Sequence, residues 1–95
     1  MINIKNFRWD KKKNEQLQKE RGISFEQIEK AIINKKILDV IPNPSKNHPG
    51  QNVLVIELEN YIILVPFVRN KGDVFLKTAF KCRKATKTYL GRQAL

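Results

Sequence analysis

Apolar residues recur along this chain with two different periods, and the switch between them divides it into helices and strands. Phe25, Ile28, Ala31 and Ile32 fall at helical spacing and predict a helix over roughly Phe25 to Asn34 that lies on the core. Ser24 is placed as its N-cap, Gln27 completes a capping box, and Ile23 and Ile28 stand where a hydrophobic staple needs them. A preceding helix is predicted from Lys11 to Arg21, with Asp10 as N-cap and Gly22 as the left-handed residue past its end. Leu17 is the only large apolar residue of that helix, so it buries little. Lys11, Lys12 and Lys13 crowd its N-terminus, where the helix dipole disfavours cations, and Glu15 with Lys19 makes a favourable pair one turn apart.

The remaining apolar runs have the period of strands. Met1 to Asp10 reads as a short strand or extended lead-in anchored by Ile2, Ile4, Phe7 and Trp9. Its parity changes between Ile4 and Phe7, which predicts a bend near Asn6, and Trp9 reads as core. Ile37 to Ile41 is a strand ended by Pro42 and Pro44, and a loop follows to Gln51 that holds His48. Strands over Asn52 to Glu59 and Tyr61 to Arg69, and a last one from Asp73, form a meander. Tight turns at Glu59-Asn60 and at Asn70-Lys71-Gly72-Asp73 make their pairing antiparallel. The middle run, YIILVPFV, is apolar on both faces, so each face needs a cover. Pro66 within it predicts a bulge or a strand end, because proline has no amide hydrogen to donate. A short helix from Lys84 to Leu90 closes the chain. The order predicts a single α+β domain over residues 1–95. Two N-terminal helices pack on a mainly antiparallel sheet of about four or five strands, and a short C-terminal helix follows.

Charge sharpens this picture. The 95 residues hold 19 Lys and Arg against 9 Asp and Glu, a net charge of +10. Such a balance favours an anionic partner: nucleic acid first, an acidic protein second, a membrane surface third. One cysteine excludes an internal disulfide and a cysteine-rich zinc site, and one histidine excludes a histidine cluster, so neither metal nor cofactor is predicted. No apolar run is long enough to span a bilayer and no signal-peptide hydrophobic region is present, which makes the cytoplasm the expected location.

The last strand is where charge and periodicity meet. Strict alternation turns Val74, Leu76, Thr78, Phe80 and Cys82 one way, and Phe75, Lys77, Ala79, Lys81 and Arg83 the other. By itself this describes a half-buried edge strand with a solvated outer face, Cys82 being a small core residue. On so basic a chain it also describes a fixed set of cations able to hold phosphates.

Three local sequences occur in a telling order. Phe7-x-Trp9-Asp10 leads into a lysine-rich helix containing Asn14, Arg21-Gly22-Ile23-Ser24-Phe25-Glu26 joins the two helices, and Arg83-Lys84-Ala85-Thr86 ends the last strand. From Phe7 to about Tyr89 the chain resembles the BrnT family of bacterial toxins, which belong to type II toxin–antitoxin modules and are RelE-like ribonucleases in fold. It departs from the family in carrying Arg21 where members often have histidine, and Lys81-Cys82 where they usually have Ser-Ala. The resemblance implies a metal-independent, RNA-cleaving toxin that inhibits translation. It also implies a cognate antitoxin, through which alone the pair would bind operator DNA. The charge of this chain predicts an acidic segment on that antitoxin.

Attack of a ribose 2′-hydroxyl on its own phosphate needs a proton acceptor, charge stabilisation at phosphorus and help for the leaving oxygen. Enzymes of the resembled class work with Arg, Lys and sometimes Tyr. Arg83 is the candidate bidentate phosphate clamp, Lys81 and Lys77 are candidate acid or base, and Arg69 at the end of the neighbouring strand joins them. Lys84, Lys87, Tyr89, Lys11, Lys12 and Lys13 are candidate RNA-binding residues; His48 reads as an exposed loop residue, with phosphate binding or acid/base work as the alternative. The rival readings are a non-catalytic RNA- or DNA-binding module using the same basic face, and an adaptor for an acidic protein.

Overall fold

The computed structural model describes residues 6–42 and 51–91. The elements run β1 (Asn6–Trp9), α1 (Lys11–Arg21), α2 (Phe25–Ile33), β2 (Ile37–Pro42), β3 (Asn52–Leu58), β4 (Tyr61–Asn70), β5 (Asp73–Leu76), β6 (Phe80–Lys81) and α3 (Arg83–Leu90). The class is α+β, with three helices and one mixed sheet of six strands. Ile2 and Ile4, the bend ahead of Phe7 and the loop with His48 lie outside the described residues.

Local chemistry explains the two N-terminal helices. The Asp10 carboxylate accepts from the Lys12 N–H at 2.9 Å, offsetting the three lysines that open α1. Gly22, at φ 67°, closes α1 in the left-handed region that favours glycine. Ser24 accepts from the Gln27 N–H at 3.1 Å and the Gln27 side chain accepts from the Ser24 N–H at 2.9 Å, completing the capping box of α2. Ile23 and Ile28 are both buried, as the staple requires.

Asn14 ties the helices together. Its side-chain oxygen accepts from the Phe25 N–H at 2.8 Å, and its amide donates to Glu26 Oε1 at 2.7 Å. Leu17 and Asn14 are the buried residues of α1, so this helix is held by one apolar side chain and one polar one. Asn14→Ala leaves the buried Phe25 N–H without its acceptor. It is expected to lower stability by about 1–3 kcal/mol, read as a lower urea midpoint with an unchanged slope.

The sheet order is β1-β5-β4-β3-β2, with β6 also paired to β4. The turns after β3 and β4 put both central residues at positive φ, Glu59 (54°) with Asn60 (63°) and Lys71 (50°) with Gly72 (89°), the geometry that matches strand twist in a two-residue hairpin. Residues directly opposite one another share a face. Leu54, Ile56, Ile63, Val65, Phe67, Val74 and Leu76 therefore form one face, packed with Leu17, Ile23, Phe25, Ile28 and Ala31 in the main core. Trp9, half-buried, stacks on Phe25 with ring centroids 5.6 Å apart.

The opposite face, here the far side, carries Val53, Val55 and Ile62, all buried. Helix α3 packs against β4 and reaches β2, where the Tyr89 hydroxyl donates to Asp39 at 2.9 Å. Both faces of β4 are thus covered, as its apolar run demands.

Pro66 neither bulges nor ends β4. It pairs with Val53 in unbroken register. The interruption falls in the neighbouring strand instead: β5 stops at Leu76 and β6 begins at Phe80. Within a strand, the N–H and C=O of one residue point to the same side. The Pro66 carbonyl accepts from the Lys77 N–H at 2.8 Å, so its missing donor faces the gap where no strand asks for it. The last strand becomes two for this reason, and the strand count rises above the sequence expectation.

Candidate nucleic-acid interface

The C-terminal helix begins on the edge of β4. Beyond β6, the Cys82 N–H donates to the Ile62 carbonyl at 3.0 Å. The Thr86 hydroxyl accepts from the Ile62 N–H at 2.9 Å and donates to the Cys82 carbonyl at 2.8 Å. A helical side chain here does the work of a strand carbonyl, so both backbone groups of Ile62 are satisfied. The Cys82 thiol caps α3 by accepting from the Ala85 N–H at 3.4 Å. With Thr86 turned inward and buried, Arg83, Lys84 and Lys87 stand exposed on the outer side of α3. Arg83 is the first residue of this helix, one residue earlier than the predicted start. No acidic residue lies in the first turn, so the positive end of the helix dipole adds to the two cations there.

The predicted single face of cations does not form. Phe67 opposes Leu76, whereas Leu64 opposes Phe80 and Ile63 opposes Lys81. The parity of the chain therefore flips across residues 77–79. Ala79 joins the core, Phe80 turns to the far side, and Lys81 turns to the helix side. The Lys77 ammonium sits over the Phe75 ring on the far side, 4.8 Å from its centroid. The Lys81 ammonium sits 5.8 Å from the Tyr61 centroid on the other side. Arg21 holds the break in place, its guanidinium donating to the Ala79 carbonyl at 2.7 Å.

The other candidates scatter further. Arg69 is exposed near the opposite end of β4, six residues beyond the partner of Lys81, roughly 20 Å along the strand. Lys11, Lys12 and Lys13 form the first turn of α1. Tyr89 is tied to β2. Its hydrogen bond to Asp39, reinforced by burial and by the Asp39 charge, raises its hydroxyl above the ordinary tyrosine value and keeps the proton on it. That hydroxyl is aimed at a carboxylate rather than at a phosphate.

Sequence reasoning passed over a hollow on the far side. Arg8, Val68, Asn70, Asp73, Phe75 and Lys77 line a space of about 260 Å³. Arg8 donates to Asp73 at 2.9 Å, the one ion pair among the described residues. The signal for Arg8 lay in the alternation of Phe7, Arg8 and Trp9: if Phe7 and Trp9 pack inward, Arg8 must face outward. A second hollow, about 340 Å³, between α2 and the end of β3 sets Lys30 and Lys36 against Glu57 and Glu59, so it has no single sign of charge.

No group of three metal-binding side chains gathers among the described residues, and no described helix is long and apolar enough to cross a membrane. No family model, curated protein or solved structure matches the chain.

Proposed function

We propose that this chain is the toxin of a type II toxin–antitoxin module, a BrnT-like, metal-independent endoribonuclease that inhibits translation in the cytoplasm. The observation that carries the reading is the α3 corner. Arg83, Lys84 and Lys87 stand exposed at the start of a helix, and none has a carboxylate partner among the described residues. The net charge of +10 and the three ordered motifs support it further. So does the arrangement of two helices on one side of a mostly antiparallel sheet and a third on the other, which accords with a RelE-like ribonuclease.

In this reading Arg83 clamps the scissile phosphate through its fork of donors as the 2′-hydroxyl gives its proton to water, its oxygen bonds to phosphorus and the bond from phosphorus to the 5′-oxygen breaks. Lys84 and Lys87 hold flanking phosphates. Lys81, two residues before Arg83, protonates the leaving oxygen once RNA draws its ammonium from Tyr61. Arg69 takes no part, since it stands too far along β4. The partner is an antitoxin with an acidic segment, whose association slows as salt rises.

A second reading, RNA binding without cleavage, is favoured by one observation: Lys77 and Lys81 lie on opposite faces, so three cations never converge. Incubating the purified chain with messenger RNA in excess EDTA separates the two. Discrete fragments with 5′-hydroxyl and 2′,3′-cyclic phosphate ends are expected. Salt-sensitive binding with intact RNA would select the second reading instead.

A further inference from the structure

We propose that the far side of the sheet at β1, β5 and β6 is a track for single-stranded RNA, with one base stacked on Phe75 and a second on Phe80. This rests on the RNA reading above and specifies how the strand is held. Phe75 is half-buried in the hollow and Phe80 is exposed at 37%. They oppose Val68 and Leu64 of β4, so both rings stand on one face, four strand residues or roughly 13 Å apart. Helix α3 covers Ile62 and the β2 end of this face, and Phe75 remains half-buried and Phe80 exposed. Aromatic rings on a sheet surface with cations between them are the chemistry by which single strands are bound irrespective of sequence.

The polar groups of the hollow complete the match. Arg8 uses its Nε on Asp73, leaving the terminal donors of its guanidinium for a phosphate. Lys77 lies beside Phe75, and a base stacking there gains more than the exposed cation–π contact it disturbs. Asn70 and the Asp73 carboxylate offer donors and acceptors to a base edge. At about 260 Å³ the hollow is smaller than the ~300–1,000 Å³ pockets of drug-sized ligands and suits a single planar ring system. Arg83, the phosphate clamp of the reading above, follows Phe80 by three residues along the chain.

The probe is a 2′-O-methylated RNA 12-mer, whose blocked 2′-oxygens cannot attack, with a blunt duplex of the same sequence for comparison. Phe75→Leu is expected to bind the single strand about tenfold more weakly than the unaltered chain. Phe75→Tyr should bind within about twofold of it, because the stacking surface survives. Phe80→Leu should add a further loss, and the duplex, whose bases are already stacked, should be bound alike by all. Photo-cross-linking of 5-iodouridine RNA should label the peptide containing Phe75. If the unaltered chain binds RNA and Phe75→Leu binds it equally well, the track is wrong and the RNA reading stands. If the unaltered chain binds no RNA, both fall together. Loss of poly-glutamate binding in Phe75→Leu with RNA binding intact would assign the hollow to an acidic protein and overturn the proposal.

Discussion

Arg83→Ala is expected to reduce RNA cleavage by about 100-fold or more, the loss typical of removing one preorganised donor to a developing oxyanion. Growth inhibition by the expressed chain should disappear with it. The same change should leave the melting temperature unchanged or slightly raised, and the structure supplies the sign. Arg83 opens α3, where a cation opposes the helix dipole, and alanine is the best helix former. Its side chain is exposed and anchors nothing in the core. Lys84→Ala and Lys87→Ala should instead weaken binding with a smaller effect on the chemical step. Each should reduce the salt slope of affinity by about 1. A fully active Arg83→Ala protein, or one that loses activity only by unfolding, would remove the clamp from this corner.

Phe25→Ala is the change expected to damage the fold most. The Phe25 ring is fully buried, stacks on Trp9 and stands at the start of α2 between the helices and the sheet. Truncating such a residue costs about 3–5 kcal/mol, transfer and cavity terms together. A domain of 95 residues has a total stability of roughly 5–14 kcal/mol, so a large share is lost. Phe25→Leu keeps most of the volume and should cost clearly less. Urea unfolding followed by circular dichroism reads both. A Phe25→Ala loss below about 1 kcal/mol would mean that Trp9 and its neighbours close over the space.

What was legible in the sequence was local. Asp10, Gly22, Ser24 and Gln27 act within one helical turn of themselves, so their caps stand where the residues alone place them. The two-residue turns were legible for the same reason. The reading of the last strand failed because its parity is set by residues far away: Pro66 in the middle of β4 withholds a donor, and Arg21 at the end of α1 grips the Ala79 carbonyl. Strict alternation has no term for either, so it set Lys77 on one face with Lys81 when the fold turns the two to opposite faces. The covering of both faces of β4 was foreseen from its composition, but not that the third helix does the covering. The parallel pairing of β1 with β5 left no local trace, and with it the hollow that Arg8 helps to line went unseen.

That parallel edge governs how the chain is made. Arg8 and Asp73, which meet across it, are 65 residues apart in sequence, whereas the meander of β3, β4 and β5 closes through two-residue turns. Loop closure over such a span is entropically costly and forms slowly beside the hairpins. During synthesis β1 leaves the ribosome before β5 and must wait unpaired until β5 follows it. β1 is thus made before β2, β3 and β4 but placed only after β5 has followed them, and the hollow beneath Arg8 cannot form before Asp73, Phe75 and Lys77 have been translated.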